Sequence, residues 1–225
     1  GIISGLSRED RNTIGVYPLR GKLFNVRGEA AKRISEVKEI HEIKQIVGLE
    51  AGKKYTPDEA KKMLRYGKIL FMTDQDLDGS HIKGLCINLF DSEWSTLISI
   101  PGFIGFMNTP IIKARKGAQE KLFYNDGEYE EWKATNNVKG WSFKYYKGLG
   151  TSTGKEFKEY FANKKIVNFV SSGEESRDAI DKVFNKKRAA DRKDWLENYD
   201  RTLYLDTNKS DVKYEEFIGQ EMIHF

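Results

Sequence analysis

A single cysteine, Cys86, in 225 residues rules out an internal disulfide framework and every multi-cysteine zinc site. A reducing compartment is the simpler reading of that one thiol. Prolines number only four, while 39% of residues are hydrophobic and 12% aromatic, which excludes collagen-like repeats and argues against disorder. Long apolar runs are missing as well. The longest apolar-rich stretch, Thr96 to Met107, carries Ser99, Pro101 and Gly102 and falls short of the ~18 residues of a membrane span, so no membrane association is expected. The N-terminus, Gly1-Ile2-Ile3-Ser4-Gly5, has no initiating Met, basic region or long apolar core; no signal peptide is visible and the chain reads as a fragment. Charge is close to balanced, with 38 Lys and Arg against 34 Asp and Glu, giving +4. That excess does not identify a polyanion partner, so the placing of the basic residues matters more than their number. What remains is an ordinary globular chain of one large or two small domains, able to bury about 70% of its unfolded surface.

Apolar spacing sets out the elements. Ala30, Ile34, Val37, Ile40, Ile43 and Val47 fall three or four apart and predict a helix over residues 29–47. Thr56-Pro57-Asp58-Glu59 supplies a hydroxyl cap, a proline at the first helical position and a glutamate able to reach back, predicting a helix to Tyr66. Lys68 to Thr73 is too short for a stable helix and too apolar for a surface strand, so it reads as a buried parallel strand. From Ser80, the positions of Ile82, Leu85, Cys86, Leu89, Trp94 and Leu97 predict another helix, completing a strand, acidic loop and helix unit. Residues 110–115 and 121–124 flank a turn at Lys116-Gly117-Ala118 and predict a hairpin. Helices over 128–133 and 155–163, strands over 141–146 and 166–170, and a polar connector over 200–213 complete the reading.

The acidic loop is the most informative segment. In Thr73-Asp74-Gln75-Asp76-Leu77-Asp78-Gly79-Ser80-His81, carboxylates at alternate positions repel one another unless a cation sits among them. The alternation resembles a calcium-binding EF-hand loop, but Leu85 stands where that loop needs a bidentate glutamate, and a preceding strand contradicts its helix-loop-helix setting. Carboxylates at the C-terminal end of a parallel strand lie where open α/β sheets place ligands, and magnesium, which keeps its waters, suits two or three of them. A solvated acidic turn that caps the helix is the alternative.

Lys147-Gly148-Leu149-Gly150-Thr151-Ser152-Thr153-Gly154-Lys155 invites a phosphate-loop reading and fails it. A P-loop requires glycine where Leu149 stands and Ser or Thr where Glu156 stands, so ATP is not expected here. A lysine on a glycine-flexible turn ahead of a helix suits either a phosphate contact, with Lys147 as the candidate, or a tight bend. Two basic groups are also candidates for phosphate contact: Arg20, Lys22, Asn25 and Arg27; and Lys182, Lys186, Lys187, Arg188, Arg192 and Lys193. On a helix, Lys182 and Lys186, and separately Arg188 and Arg192, share faces, which allows a stripe along a nucleic-acid backbone, with a solvated charged face as the alternative. His81 is the one histidine near the acidic loop, and Cys86 reads as a packed thiol.

Taken together, Pro18-Leu19-Arg20-Gly21-Lys22-Leu23-Phe24-Asn25-Val26-Arg27, the run from Thr73 to Gly84, and Tyr146-Lys147-Gly148-Leu149-Gly150-Thr151-Ser152 closely resemble eukaryotic-type DNA topoisomerase II over nearly the whole chain. Gln75 and the Ser80-His81-Ile82-Lys83-Gly84 continuation are similar to the eukaryotic branch. The resemblance implies an α/β fold: a Rossmann-like Toprim domain with a parallel sheet over residues 1–105, lacking its first strand; an α/β C-terminal extension over 106–198; and a connector over 199–225 toward a winged-helix domain. It implies Mg2+ held by Asp74 and Asp76, for which Mn2+ or Ca2+ can substitute, with Asp78 a further acidic site residue. Lys22, Asn25, Arg192 and Lys193 are the implied DNA contacts, with Arg20, Lys147 and His81 as weaker candidates.

For the parent protein, the resemblance implies ATP-dependent cleavage and religation of double-stranded DNA by a nuclear homodimer. A metal-binding glutamate before Gly1, a nucleophilic tyrosine beyond Phe225 and a preceding ATPase domain are all implied to lie outside this chain, leaving it inactive alone. A non-catalytic DNA-binding module and a Toprim nuclease are the rival readings.

Overall fold

The computed structural model describes residues 1–225. In chain order the elements are α1 (Ile2–Gly5), α2 (Asp10–Thr13), α3 (Ala31–Ser35), α4 (Lys38–Val47), α5 (Pro57–Met63), β1 (Ile69–Phe71), α6 (Leu77–Glu93), α7 (Ser95–Ile98), β2 (Ile104–Met107), β3 (Ile112–Lys116) and β4 (Gln119–Phe123). There follow α8 (Asp126–Thr135), β5 (Ser142–Tyr145), α9 (Gly154–Asn163), β6 (Ile166–Val170), α10 (Glu174–Phe184), α11 (Ala189–Asn198), β7 (Asp211–Lys213) and α12 (Tyr214–Gln220). They form two compact units. One comprises residues 1–18, 72–76 and 107–166, the other residues 19–71, 77–106 and 167–225.

The larger unit is built on a four-stranded sheet in the order β1-β2-β6-β7, with the β1–β2 and β6–β7 pairs parallel. Ile69, Leu70 and Phe71 lie opposite Ile104, Gly105 and Phe106, as the apolar run at 68–73 predicts. Helices α6, α10 and α12 pack together beside it. The core joins Leu89, Leu97, Ile104, Phe169, Ile180 and Phe217, all fully buried. Each such side chain stabilises the fold by roughly 1.5–3 kcal/mol. The 29–47 helix is two helices, since Val37 is extended and breaks the run between α3 and α4. Thr56 caps α5 by accepting from the Glu59 amide at 3.1 Å, although the helix stops at Met63 rather than Tyr66.

The stretch read as a connector contributes core instead. Val212 on β7 is buried against β6, and Tyr214, Phe217 and Ile218 bury one face of α12, with Tyr214 stacked on Phe169 at 5.2 Å. A three-residue strand with one buried residue leaves almost no alternation to read. The spacing of 214, 217 and 218 was the signal available.

The smaller unit holds an antiparallel sheet in the order β4-β3-β5. Lys116 pairs with Gln119, so Gly117 and Ala118 alone make the predicted turn, and Gly117 takes φ +59, a left-handed value suited to glycine. Ile112, Ala114 and Phe123 from the sheet and Tyr129 and Trp132 from α8 form its core. Asn125 caps α8 by accepting from the Glu128 amide at 2.8 Å.

Candidate functional site

Asp74 and Asp76 lie in the smaller unit, on the segment that follows β1, and both are exposed. Asp74 does not hang freely in solvent. Its Oδ1 accepts the backbone N–H of Leu149 at 2.7 Å, so the acidic loop and the Lys147-Gly148-Leu149-Gly150 loop, two separate candidates in the sequence, meet. Gly148 is extended, at φ 176, and carries no backbone strain. Its lack of a side chain matters sterically, because a Cβ there would lie 2.9–3.0 Å from the Asp74 carboxylate. Lys147 is exposed on the same loop.

That loop is anchored by a carboxylate that the sequence reading named only as a departure from the P-loop pattern. Glu156 is 6% exposed. It accepts from Lys144 on β5 at 2.6 Å, from the Thr153 amide at 3.0 Å and from the Tyr146 hydroxyl, and pairs with Lys113 on β3 at 3.2 Å. Burial pushes its pKa up, but the Lys144 ammonium, the Tyr146 hydroxyl, the Thr153 amide and Lys113 more than offset that, leaving it well below the usual carboxylate range. Burial, aided by the Glu156 hydrogen bond, drives the Tyr146 phenol far upward. Glu156 and Thr153 form a capping box at the start of α9. The Thr-x-x-Glu pattern was the sequence signal for it.

No third His, Cys, Asp or Glu joins these carboxylates in a closed metal cage. The donor set nevertheless fits magnesium. That ion takes one or two protein carboxylates and keeps several waters, and both carboxylates here are exposed, with Asp74 Oδ2 left over once the Leu149 amide is satisfied.

In the larger unit, Asp78 sits in the first turn of α6 and pairs with Lys22 at 3.0 Å, with side chains 69% and 42% exposed. Such an exposed pair contributes little to stability. Lys22, Asn25, His81 and Arg192 line one cleft of about 530 Å³, floored by Leu23, Leu85, Phe184 and Trp195. Asn25 is used internally: its amide donates to the Phe184 carbonyl at 2.9 Å and accepts from Asn88 at 2.9 Å and from the Arg27 amide at 3.1 Å. His81 packs against Phe225 at 4.4 Å, and burial together with Lys22 pushes its pKa down and disfavours the cation, against a smaller opposing pull from Asp78.

The continuous basic stripe is interrupted. Asn185 is extended and ends α10, so Lys182 and Lys186 do not share a helical face, a break hidden by helix-compatible residues on both sides. Much of the positive charge is also internally paired. Arg188 meets Asp178 and Asp191, each at 2.7 Å, and Asp181 at 3.2 Å; Lys186 meets Glu29 at 2.5 Å; Lys182 lies over Trp195. Arg27 is bound to Asp91 at 2.5 Å. Arg192 donates to the Lys182 carbonyl at 3.1 Å and to the Asn185 carbonyl, closing the end of α10. Lys187, Lys193 and Arg20 are exposed, and Lys193 reaches Glu197 only at 4.0 Å. Lys83 and Ser80, inside the Ser-His-Ile-Lys-Gly run, are structural: both hold Glu221, at 3.0 and 2.8 Å.

Comparison with known proteins identifies the two domains that the chain carries. A Toprim domain matches residues 3–101 and the C-terminal associated domain of TOPRIM matches residues 107–225. Over 99% of its length the chain is 46% identical to DNA topoisomerase 2 of Plasmodium falciparum and 47% identical to DNA topoisomerase 2-alpha of Homo sapiens. It spans 16% of the length of each. The crystal structure of the Plasmodium falciparum topoisomerase II DNA-binding, cleavage and re-ligation domain superposes with a TM-score of 0.93 at 46% identity, covering 99% of this chain and 30% of that one.

Proposed function

The chain belongs to the Toprim family, with a Toprim domain followed by its C-terminal associated domain, and from that membership we propose that it is the metal-binding and DNA-binding part of an ATP-dependent type II DNA topoisomerase. The observation that carries the reading is Asp74, held by the Leu149 amide with its second oxygen left over, just beyond a parallel strand. Asp74 and Asp76 hold the divalent ion, and Asp78 adds negative charge at the start of α6. When bound, the ion supplies Lewis-acid stabilisation of charge developing on a phosphate-ester oxygen. Lys22, Arg192 and Lys193, with Arg20 and Lys147 in support, neutralise backbone phosphates, and Asn25 fixes the segment that carries Lys22. The parent acts as a nuclear homodimer that cleaves and religates duplex DNA, with its ATPase domain and nucleophilic tyrosine outside these residues. No helix is long and apolar enough to cross a membrane.

Mn2+ titration tests the metal site. The chain should bind Mn2+, and an Asp74→Ala, Asp76→Ala double variant should lose that binding while its circular dichroism is unchanged. Equal affinity in the two proteins would move the site elsewhere.

Duplex binding tests the basic positions. Affinity should show little sequence preference and fall steeply with salt. Joint replacement of Lys22, Arg192 and Lys193 by alanine should reduce the log–log salt slope by about 0.9 for each phosphate that is no longer neutralised. An unchanged slope would remove these residues from the interface. Metal-dependent nicking without a covalent adduct would favour a Toprim nuclease instead.

A further inference from the structure

We infer that Gly148 and Leu149 are positioning residues for Asp74, and that Glu156 is the anchor that makes their loop rigid enough to do it. The inference rests on the metal-site reading and goes beyond it, to a loop that no phosphate-loop chemistry explains.

The Leu149 hydrogen bond selects one orientation of the carboxylate. The N–H takes Oδ1 at 2.7 Å, which leaves Oδ2 as the oxygen available to an ion. A ligand that keeps one oxygen on a backbone amide coordinates through the other, as suits an ion that retains its waters. Gly148 provides the clearance, since any Cβ would press on all three carboxylate heavy atoms at 2.9–3.0 Å. Those atoms can yield only by turning the Asp74 side chain, so a substitution at Gly148 is felt at the ligand.

A glycine-bearing loop holds a ligand only if its ends are fixed. On the N-terminal side, Tyr146 donates its hydroxyl to Glu156, and its amide donates to the Ile111 carbonyl at 2.8 Å. On the C-terminal side, Thr153 and Glu156 cap α9, and the Ser152 hydroxyl meets Tyr160 at 3.0 Å. One carboxylate thus ties β3, β5, the loop entrance and the helix start together. Altering partners that orient a metal ligand typically weakens metal binding by about 10–100-fold.

The test uses the 225-residue chain, with Mn2+ as the probe ion and hydrogen exchange at the Leu149 amide as an independent readout. Gly148→Ala, Leu149→Pro and Glu156→Gln are compared with Asp74→Ala. Leu149→Pro removes the donated N–H at the first residue of a short helical turn, where proline is tolerated, after an extended residue that suits it. Gly148→Ala and Leu149→Pro should each weaken Mn2+ binding about 10–100-fold with the fold intact, and Glu156→Gln should do so at temperatures where it remains folded. Leu149 amide exchange should be faster in Asp74→Ala and in Gly148→Ala. Wild-type Mn2+ affinity in both Gly148→Ala and Leu149→Pro, while Asp74→Ala loses it, would overturn the inference. If the wild-type chain and Asp74→Ala bind Mn2+ equally, the metal reading fails by itself. The amide exchange then decides the positioning: protection unchanged in Asp74→Ala overturns it, and reduced protection sustains it.

Discussion

Replacing Glu156 by glutamine is expected to cost the fold about 3 kcal/mol at neutral pH and to remove much of its sensitivity to acid. Breaking a buried ion pair by deleting one partner typically costs ~3–5 kcal/mol, because the remaining charge is stranded. The lower end applies here, since Lys144 is 42% exposed and Lys113 keeps Glu120 at 3.7 Å and Glu159 at 3.8 Å. Glutamine also turns an amide NH2 toward groups that all donate. The pH dependence follows from the direction of the shift. A carboxylate held below its ordinary value of 4.5 adds stability that is fully present above that value and is lost as pH falls toward the folded-state pKa. Urea unfolding of both proteins at about pH 7 and about pH 3 checks this, with the gap between them narrowing in acid. An equal gap at both pH values would mean that the charge of Glu156 is not what stabilises the unit.

Much of this chain could be read before it was folded. Lys68 to Thr73 announced a parallel strand because four of its six residues are apolar and strand length is all that fits them, and β1 follows. The α/β class and the acidic loop after that strand came from the same segment. Harder to read was anything that depends on two distant segments finding each other. Nothing in Asp74 or Gly148 alone says that one is shaped by the other; the hydrogen bond from the Leu149 amide spans 75 positions. Charge was misleading for a related reason. Arg27 and Arg188 look like phosphate ligands along a linear sequence, yet their acidic partners reach them from α6, α10 and α11. The break at Asn185 was invisible because a single extended residue between two helix-compatible runs leaves the spacing of Lys182 and Lys186 unchanged on paper.

Those hidden partners lead to a large effect in the other unit. Asp91 is 1% exposed and accepts from Arg27 at 2.5 Å and from Arg177 at 3.2 Å. Arg27 donates further to Asn88 at 2.8 Å and to Asp181 at 3.2 Å, and Asn88 donates to Asn25, which holds the Phe184 carbonyl. Asp91→Ala should therefore destabilise the chain by about 4 kcal/mol. Arg177, half exposed, can turn to water, whereas Arg27, only 13% exposed, cannot. Asp91→Asn keeps one acceptor oxygen and a milder loss, so it can be assayed folded. Removing an acid raises the net charge, and on charge alone duplex DNA should bind more tightly. If the network exists to fix the segment that carries Lys22, Asp91→Asn should instead bind duplex DNA more weakly than wild type. Glu174→Gln, which removes an exposed acid from the first turn of α10, should show the plain charge effect and bind slightly better. Fluorescence anisotropy with a labelled duplex separates the two. Tighter binding by both variants would mean that the Arg27 network stabilises the fold without shaping the DNA-facing surface.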